Sequence, residues 1–401
     1  MNMEAFQNPF RPGAGHKPPY LAGRKKEEAE FRRLLKQTDI LENMILTGLR
    51  GVGKTVLLEQ FKPMAISENW LWVGTDLSES SSISEENLAT RILADLSVVS
   101  SSIVLSSEDR APMGFTGEAE KVDTVIGYDV LKHVFSATPG LVSDKLKAAL
   151  EFVWAKLPKN GRRGIIFAYD EAQNLSDHAS KEQYPTSLLL DVFQSIQRKG
   201  VPFMLVLAGL PTLFPKLVEA RTFAERMFHV VFLNRLSPED SRDAIKKPIE
   251  TADCPVRFSD ESVDAICLMS NGYPYFIQFI SRETYDIWTV NPNATIPVSE
   301  IIGKLDADFF AGRWARATDR QRELLIVIAN LDSCDDEFTV QEIAEKSVDV
   351  GRKAFKNSHI NQMLASLIKA GLVYKNRHGK YSLAVPLLGD FIKRQIALNM
   401  E

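Results

Sequence analysis

Along residues 1–237, short apolar runs alternate with stretches where apolar residues recur every three or four positions. Met44–Thr47, Trp70–Thr75, Ile165–Tyr169, Phe203–Ala208 and His229–Leu233 are continuous apolar runs bounded by polar or turn-forming residues. Such runs suit strands buried on both faces of a parallel sheet. Helical spacing occupies Arg24–Gln37, Thr55–Phe61, Glu85–Leu96, Tyr128–Lys156 and Ser187–Arg198. Strands separated by helices predict βαβ units, hence an α/β fold with a parallel sheet. Ser97–Gly127 is polar and serine-rich, has no clear period, and reads as an insertion loop. Residues 1–22 contain Pro9, Pro12, Gly13, Gly15, Pro18 and Pro19 and predict an extended arm.

After Pro238 the pattern becomes wholly helical, with segments near 238–250, 259–270 and 274–288 that predict a small helical domain. Asn291–Pro297 reads as a Pro/Asn linker. Gln321–Ala329, Val340–Lys346 and Ile360–Ala370 are apolar at helical spacing. Leu372–Tyr374 and Tyr381–Ala384 flank a turn containing Gly379 and read as a hairpin, with a last helix behind it. Three helices and a hairpin predict a winged helix-turn-helix. The expected division is an arm (1–22), an α/β core (23–237), a helical lid (238–292), a linker (293–316) and a winged-helix domain (317–401).

Composition narrows the class. The chain has 401 residues, 45 % hydrophobic and 25 % charged, with formal net charge −4. These are ordinary values for a soluble globular protein. They exclude a globally basic nucleic-acid binder but not a local basic patch. Cys254, Cys267 and Cys334 have no metal-ligand spacing and read as free thiols in a reducing compartment. Met1-Asn2-Met3-Glu4 lacks the basic start and apolar core of a signal peptide. The longest apolar stretch, Phe203–Phe214, is broken by Pro211 and falls short of the roughly 20 residues of a membrane span. The expectation is a cytoplasmic protein with no membrane contact.

Gly48-Leu49-Arg50-Gly51-Val52-Gly53-Lys54-Thr55 fits G-x-x-x-x-G-K-[ST] between an expected strand and an expected helix. Glycines let the backbone turn so that successive N–H groups face phosphate oxygens. The following helix adds the positive end of its dipole. Gly48, Arg50, Gly51, Val52 and Gly53 would form the cradle. Lys54 would reach the β- and γ-phosphates of ATP, and Thr55 would ligate Mg²⁺. The run Ile165–Tyr169 ends in Asp170-Glu171. The carboxyl end of a strand in an open α/β sheet faces the ligand crevice. Asp170 would hold Mg²⁺ through water and Glu171 would polarise the attacking water, which makes the chain an ATPase.

The order of these features resembles the AAA+ superfamily. It is most similar to the branch of origin-recognition-like and bacterial AAA family ATP-binding proteins with a C-terminal winged helix, and the resemblance covers most of the chain. It implies that Pro19–Arg24, with Leu21 and Arg24, touches adenine through backbone and apolar contacts. Phe309-Phe310 with Arg313, then Thr318–Leu325, look like the family's linker into its winged helix. Arg377-His378-Gly379 looks like the wing tip. Ala224–Phe228 resembles the arginine-finger box and implies that Arg226 reaches a neighbouring subunit's γ-phosphate, hence self-association. Arg221 and Arg235 are weaker candidates. Two positions depart from the family pattern. The sensor at the end of the fourth strand has only Thr212 as a candidate. The lid box Gly272-Tyr273-Pro274-Tyr275 carries Tyr275 where arginine is usual, with Arg282 as a possible substitute. Slow hydrolysis is therefore expected.

Residues 351–380 hold seven cations and no acid. Lys353, Lys356, Arg377 and Lys380 fall where a recognition helix and wing would meet duplex DNA. The leading expectation is an ATP-dependent DNA-binding switch. The rival is a signalling or scaffold ATPase of a defence or mobile-element system, whose winged helix recruits a protein partner. No aromatic-glycine pore loop follows the second strand, which argues against a remodelling motor.

Overall fold

The computed structural model describes residues 7–13, 15–110, 120–157, 161–254, 257–290, 297–349, 355–377 and 379–398. It divides into two compact units. One comprises Lys25–Thr47 and Leu57–Phe232; the other comprises Met1–Arg24, Gly48–Val56 and Leu233–Glu401. This division differs from the expected one, because the glycine loop groups with the C-terminal half. Among the described residues no helix is long and apolar enough to cross a membrane.

The first unit runs through α1 (Lys25–Leu35), β1 (Asn43–Thr47), most of α2 (Lys54–Ser67) and β2 (Trp70–Val73). It continues through α3 (Glu85–Ser100), β3 (Val104–Arg110), β4 (Glu120–Val125), α4 (Tyr128–Ala137) and α5 (Val142–Lys156). It ends with β5 (Gly164–Tyr169), α6 (Pro185–Arg198), β6 (Phe203–Gly209), α7 (Leu213–Ala220), α8 (Ala224–Met227) and β7 (Phe228–Phe232). Five strands form a parallel sheet in the order β2-β5-β6-β1-β7. Every residue of β1, β5 and β6 is buried. Alternate residues of a strand point to opposite faces, so continuous apolar runs are what a sheet covered on both sides requires. Ile45, Ile165, Phe167, Leu205 and Leu207 share one core with Leu88, Ile92, Leu146, Leu150 and Phe193 of the helices. Phe31 of α1 stacks on Phe61 of α2, their centroids 4.1 Å apart.

The expected loop at Ser97–Gly127 is a correction. Helix α3 extends to Ser100, and β3 and β4 pair antiparallel from Val104↔Val125 to Arg110↔Glu120. Val104, Leu105 and Val125 are exposed. The described side chains at both ends of the hairpin, residues 104–106 and 123–125, are exposed, and exposed positions leave no apolar alternation in the sequence.

The second unit is helical. It contains α9 (Pro238–Thr251), α10 (Asp260–Ser270), α11 (Pro274–Val290), α12 (Val298–Leu305) and, after a wide turn at Asp306–Ala311, α13 (Gly312–Trp314). Then come α14 (Asp319–Ala329), α15 (Val340–Asp349), α16 (Asn357–Lys369), β8 (Val373–Arg377), β9 (Lys380–Leu383) and α17 (Leu388–Leu398). Ser237 and Ser259 cap α9 and α10, and Thr318 with Gln321 forms a capping box on α14. Phe338 and Tyr381 exchange backbone hydrogen bonds of 2.8 and 2.9 Å, an isolated bridge beside the hairpin. The β8–β9 hairpin follows the helices α14, α15 and α16 and precedes α17.

Residues 297–316, expected to be a linker, are mostly helical and packed. Phe310 stacks on Phe276 of α11 at 5.9 Å and on Phe391 of α17 at 5.2 Å. The lid helices and the C-terminal helices therefore share one core. The arm is also anchored. Phe10 is buried with Ile249, Cys254 and Tyr285. Asn8 Nδ2 donates to the Arg282 carbonyl at 3.0 Å, and Arg11 N donates to Gln278 Oε1 at 3.1 Å.

Asn43 opens β1 with a buried amide. Its Nδ2 donates to the Met227 carbonyl at 3.2 Å, and its Oδ1 accepts from Leu205 N at 2.8 Å and Gln197 Nε2 at 2.9 Å. An apolar side chain there orphans a backbone donor and acceptor inside the sheet. Asn43→Leu should lower unfolding stability by about 2–4 kcal/mol, read as a drop in urea midpoint at unchanged slope. A midpoint equal to wild type would show that the amide does not hold β1.

Candidate nucleotide site

The glycine loop follows β1 directly. Gly51 and Gly53 have φ of +80° and +92°. This left-handed region is strained for residues with a Cβ and turns the backbone N–H groups of a phosphate loop inward. Gly51 has a second reason to be glycine, since a Cβ there would stand 3.1 Å from Cβ of Tyr275. The Tyr275 N–H donates to the Gly51 carbonyl at 3.1 Å, so the first turn of α11 is seated on the loop. Lys54 Nζ donates to the carbonyls of Gly48 and Leu49, each at 2.9 Å. Leu49 and Thr55 are half-buried, and Arg50 is exposed.

Arg24 is only 5 % exposed, and its Nη2 donates to the carbonyls of Val52 and Asn234, both at 2.9 Å. These two bonds brace the loop against the segment before it. Leu21 is half-buried in the same segment.

Asp170 and Glu171 lie where expected, just past β5. Parallel pairing sets Thr47 level with Gly209 and Tyr169 level with Leu207, so the carboxylates sit on the same sheet edge as the end of β1. Asp170 is buried and its Oδ1 accepts from Glu171 N at 2.7 Å. Glu171 has φ +51° and ψ +30°, a left-handed conformation that costs a non-glycine residue about 1–3 kcal/mol. Its carboxylate accepts a short hydrogen bond from Gln173 Nε2. Gln173 Oε1 in turn accepts from Leu210 N at 3.0 Å, just past the end of β6. Lys216 Nζ donates to the Gln173 carbonyl at 2.8 Å, and burial pushes this ammonium's pKa down.

Gln173 is the residue that the sequence reading missed. Its only signal was an amide two residues beyond the acidic pair. Thr212, the expected sensor, precedes α7 with helical backbone and no side-chain capping bond. The Gln173 side chain, from the turn after β5, reaches the backbone just past β6.

The arginines separate clearly. Arg221 pairs with Asp191 through bonds of 2.8 and 2.7 Å, and Arg235 donates to Asn271 Oδ1 at 2.6 Å. Arg226 on α8 is exposed, with no ion pair among the described residues. Arg282 is exposed and 3.9 Å from Asp286 on its own helix, an ordinary surface pair. Among the described residues no group of three or more His, Cys, Asp or Glu could hold a metal by itself.

In the C-terminal helices, Lys356 is the exposed N-cap of α16. Lys380 opens β9 opposite Arg377. Lys369 and Lys375 are exposed. Lys353 and His378 lie outside the described residues.

A family model described as a domain of unknown function matches residues 307–392. That span begins in the wide turn before α13 and ends within α17. Compared with curated proteins by sequence, the chain has no match. By structure it is similar to a Walker-type ATPase of Pyrococcus abyssi, at 14 % identity and a TM-score of 0.57, covering 93 % of this chain and 96 % of that one. It is also similar to the ORC2 protein of Aeropyrum pernix in its ADP form, at 14 % identity and a TM-score of 0.55, covering 96 % and 98 %. The ADPNP–ADP complexes of that protein give 14 % identity and a TM-score of 0.53, covering 97 % and 98 %. Likeness at this identity speaks for the fold alone: with its parallel β2-β5-β6-β1-β7 sheet, the chain has an α/β P-loop fold like that of these structures.

Proposed function

We propose that this chain is a slowly hydrolysing ATPase that uses ATP as a switch for holding duplex DNA. The observation that carries the nucleotide reading is the loop Gly48–Thr55, with left-handed backbone at Gly51 and Gly53 and Lys54 at the start of α2. A helix N-terminus behind a ring of N–H groups suits polyphosphate. The similar Aeropyrum ORC2 protein was solved with ADP and with ADPNP, which supports the same ligand class here. Thr55 and Asp170 are the residues suited to Mg²⁺, which would neutralise phosphate charge when bound. An ion ligated mainly by phosphate and water needs no dedicated metal cluster, and none is present among the described residues.

In this reading Glu171 orients and polarises the attacking water. Gln173 is a positioning residue: it holds the Glu171 carboxylate and is itself held by Leu210 N. Arg226, exposed and unpaired among the described residues, is the candidate to complete a neighbouring subunit's site. Lys356, Lys369, Lys375 and Lys380 supply cations on a helix end and a hairpin, the elements that meet groove and phosphate in winged helices.

Lys54→Ala should abolish tight ATP binding, and Glu171→Gln should keep binding while losing turnover in a single-turnover assay. Undiminished hydrolysis by Glu171→Gln would remove it as the base. Gln173→Ala should lower kcat about tenfold with little change in KM, since it orients a catalytic group without touching substrate. A changed KM at constant kcat would overturn the positioning role.

Duplex affinity should fall with salt, with a log–log slope of roughly −3 to −6 if about four to six cations touch phosphates. Lys356→Glu and Lys380→Glu should weaken binding on all sequences alike. An anisotropy titration without binding to any long duplex at low salt, with or without ATP, would favour a protein partner for this domain instead.

A further inference from the structure

Residues 8–11 are held in the way a bound peptide is held. Phe10 is only 2 % exposed and packs with Ile249 of α9, with Cys254 and with Tyr285 of α11. Its ring stacks on Phe258 at 5.9 Å and meets Tyr285 edge-on at 6.4 Å. The turn that presents it is preorganised. Phe10 N donates to Asn8 Oδ1 at 2.9 Å, and Pro9 fixes the backbone between them. Asn8 Nδ2 donates to Asp286 Oδ1 at 2.7 Å, and Arg11 N donates to Gln278 Oε1 at 3.1 Å. Gln278, Tyr285 and Asp286 all belong to α11.

The far end of the same segment is fastened to the glycine loop. Arg24 Nη2 donates to the carbonyls of Val52 and Asn234, both at 2.9 Å. Gly23, with φ +64°, lies so close to α9 that a Cβ would come within 2.7 Å of Asp240 Cγ. Between these two anchors the arm passes the loop, where a Cβ on Gly15 would stand 3.4 Å from Thr55 Cγ2. The arm therefore runs from α11, past Thr55, to the backbone of the loop itself. Every one of these contacts is made to protein. A restraint that is the same with and without a ligand cannot move the binding equilibrium. It can only slow the passage between the two states.

We infer that the arm is a strap across the glycine loop, with Phe10 as its latch, and that it sets how fast a nucleotide enters and leaves rather than how tightly it is held. This rests on the nucleotide reading above. Entry and exit both require the residues between Arg11 and Gly23 to swing clear of Thr55. Arg24 is the root of the strap, since the chain continues from it into α1. Phe10 is the end that lets go, and Gly13 and Gly15 beside it supply the backbone freedom for the swing.

Stopped-flow mixing of the full chain with fluorescent ATP and ADP reads both rates. Phe10→Ala removes the latch and should raise association and dissociation together, each at least about fivefold, with Kd within about twofold of wild type. Faster dissociation at an unchanged association rate, with weaker Kd, would make the arm an ordinary ligand contact and overturns the strap. Unchanged rates overturn it too. A second comparison leaves Phe10 in place. Asn8→Cys with Asp286→Cys joins two side chains now in contact. The oxidised protein should exchange nucleotide at least about fivefold more slowly than the same sample after reduction, at equal Kd. Equal rates before and after reduction, or a pair that does not close on oxidation, overturn the strap and leave the loop reading intact. A wild type that binds neither nucleotide overturns the nucleotide reading, and the strap with it.

Discussion

Burial of β1, β5 and β6 on both faces is the constraint on which the first unit depends. A strand covered by helices on each side has no room for a polar side chain along its length. Polar groups can enter only where the strand starts or stops. At the start of β1 that group is Asn43, whose amide joins β1 to β6 and to the end of α8. At the other edge it is the pair Asp170-Glu171. Because the strands are parallel, the ends of β1, β6 and β5 fall on one edge. The same burial that stabilises the sheet thus selects where chemistry can be placed.

Glu171 shows how that edge is held. Its left-handed backbone is disfavoured for a residue with a Cβ and persists because its neighbours fix it. Asp170 Oδ1 takes its N–H, and Gln173 takes its carboxylate. Gln173 answers in turn to the backbone at the end of β6. A change in the sheet at Leu210 would be felt at the Glu171 carboxylate through two hydrogen bonds.

The second unit is organised by aromatic contacts. Tyr275, Phe309, Phe310 and Phe391 form a continuous series from α11 to α17. Large rings bury much area with few rotatable bonds and pack in offset or edge geometries. The series begins at the glycine loop, through the bond from Tyr275 N to the Gly51 carbonyl, and ends on the last helix. The arm adds Phe10 to a separate aromatic cluster with Phe258 and Tyr285.

Local patterns determined much of this molecule. Five apolar runs became five strands within a residue or two of their limits, and in β1, β5 and β6 burial on both faces accounts for the continuous signature. Gly51, Gly53 and Lys54 were legible because a phosphate loop needs those residue types at that spacing. Asp170 and Glu171 were legible because a strand end announces itself. Groupings made by residues far apart in the chain were not legible. The described ends of the β3–β4 hairpin are exposed and so left no period. The wide turn at Asp306–Ala311 read as a linker because its partners, Phe276 and Phe391, are distant in sequence. The bond from the Arg24 guanidinium to the Asn234 carbonyl joins residues 210 apart in the chain and has no local pattern to announce it. Gln173 had no distinguishing pattern until the fold brought its amide to the Leu210 N–H, 37 residues on. Spacing along the chain fixes which residues share a strand or a helix, whereas only packing decides which amide or guanidinium reaches a group a hundred or more residues away.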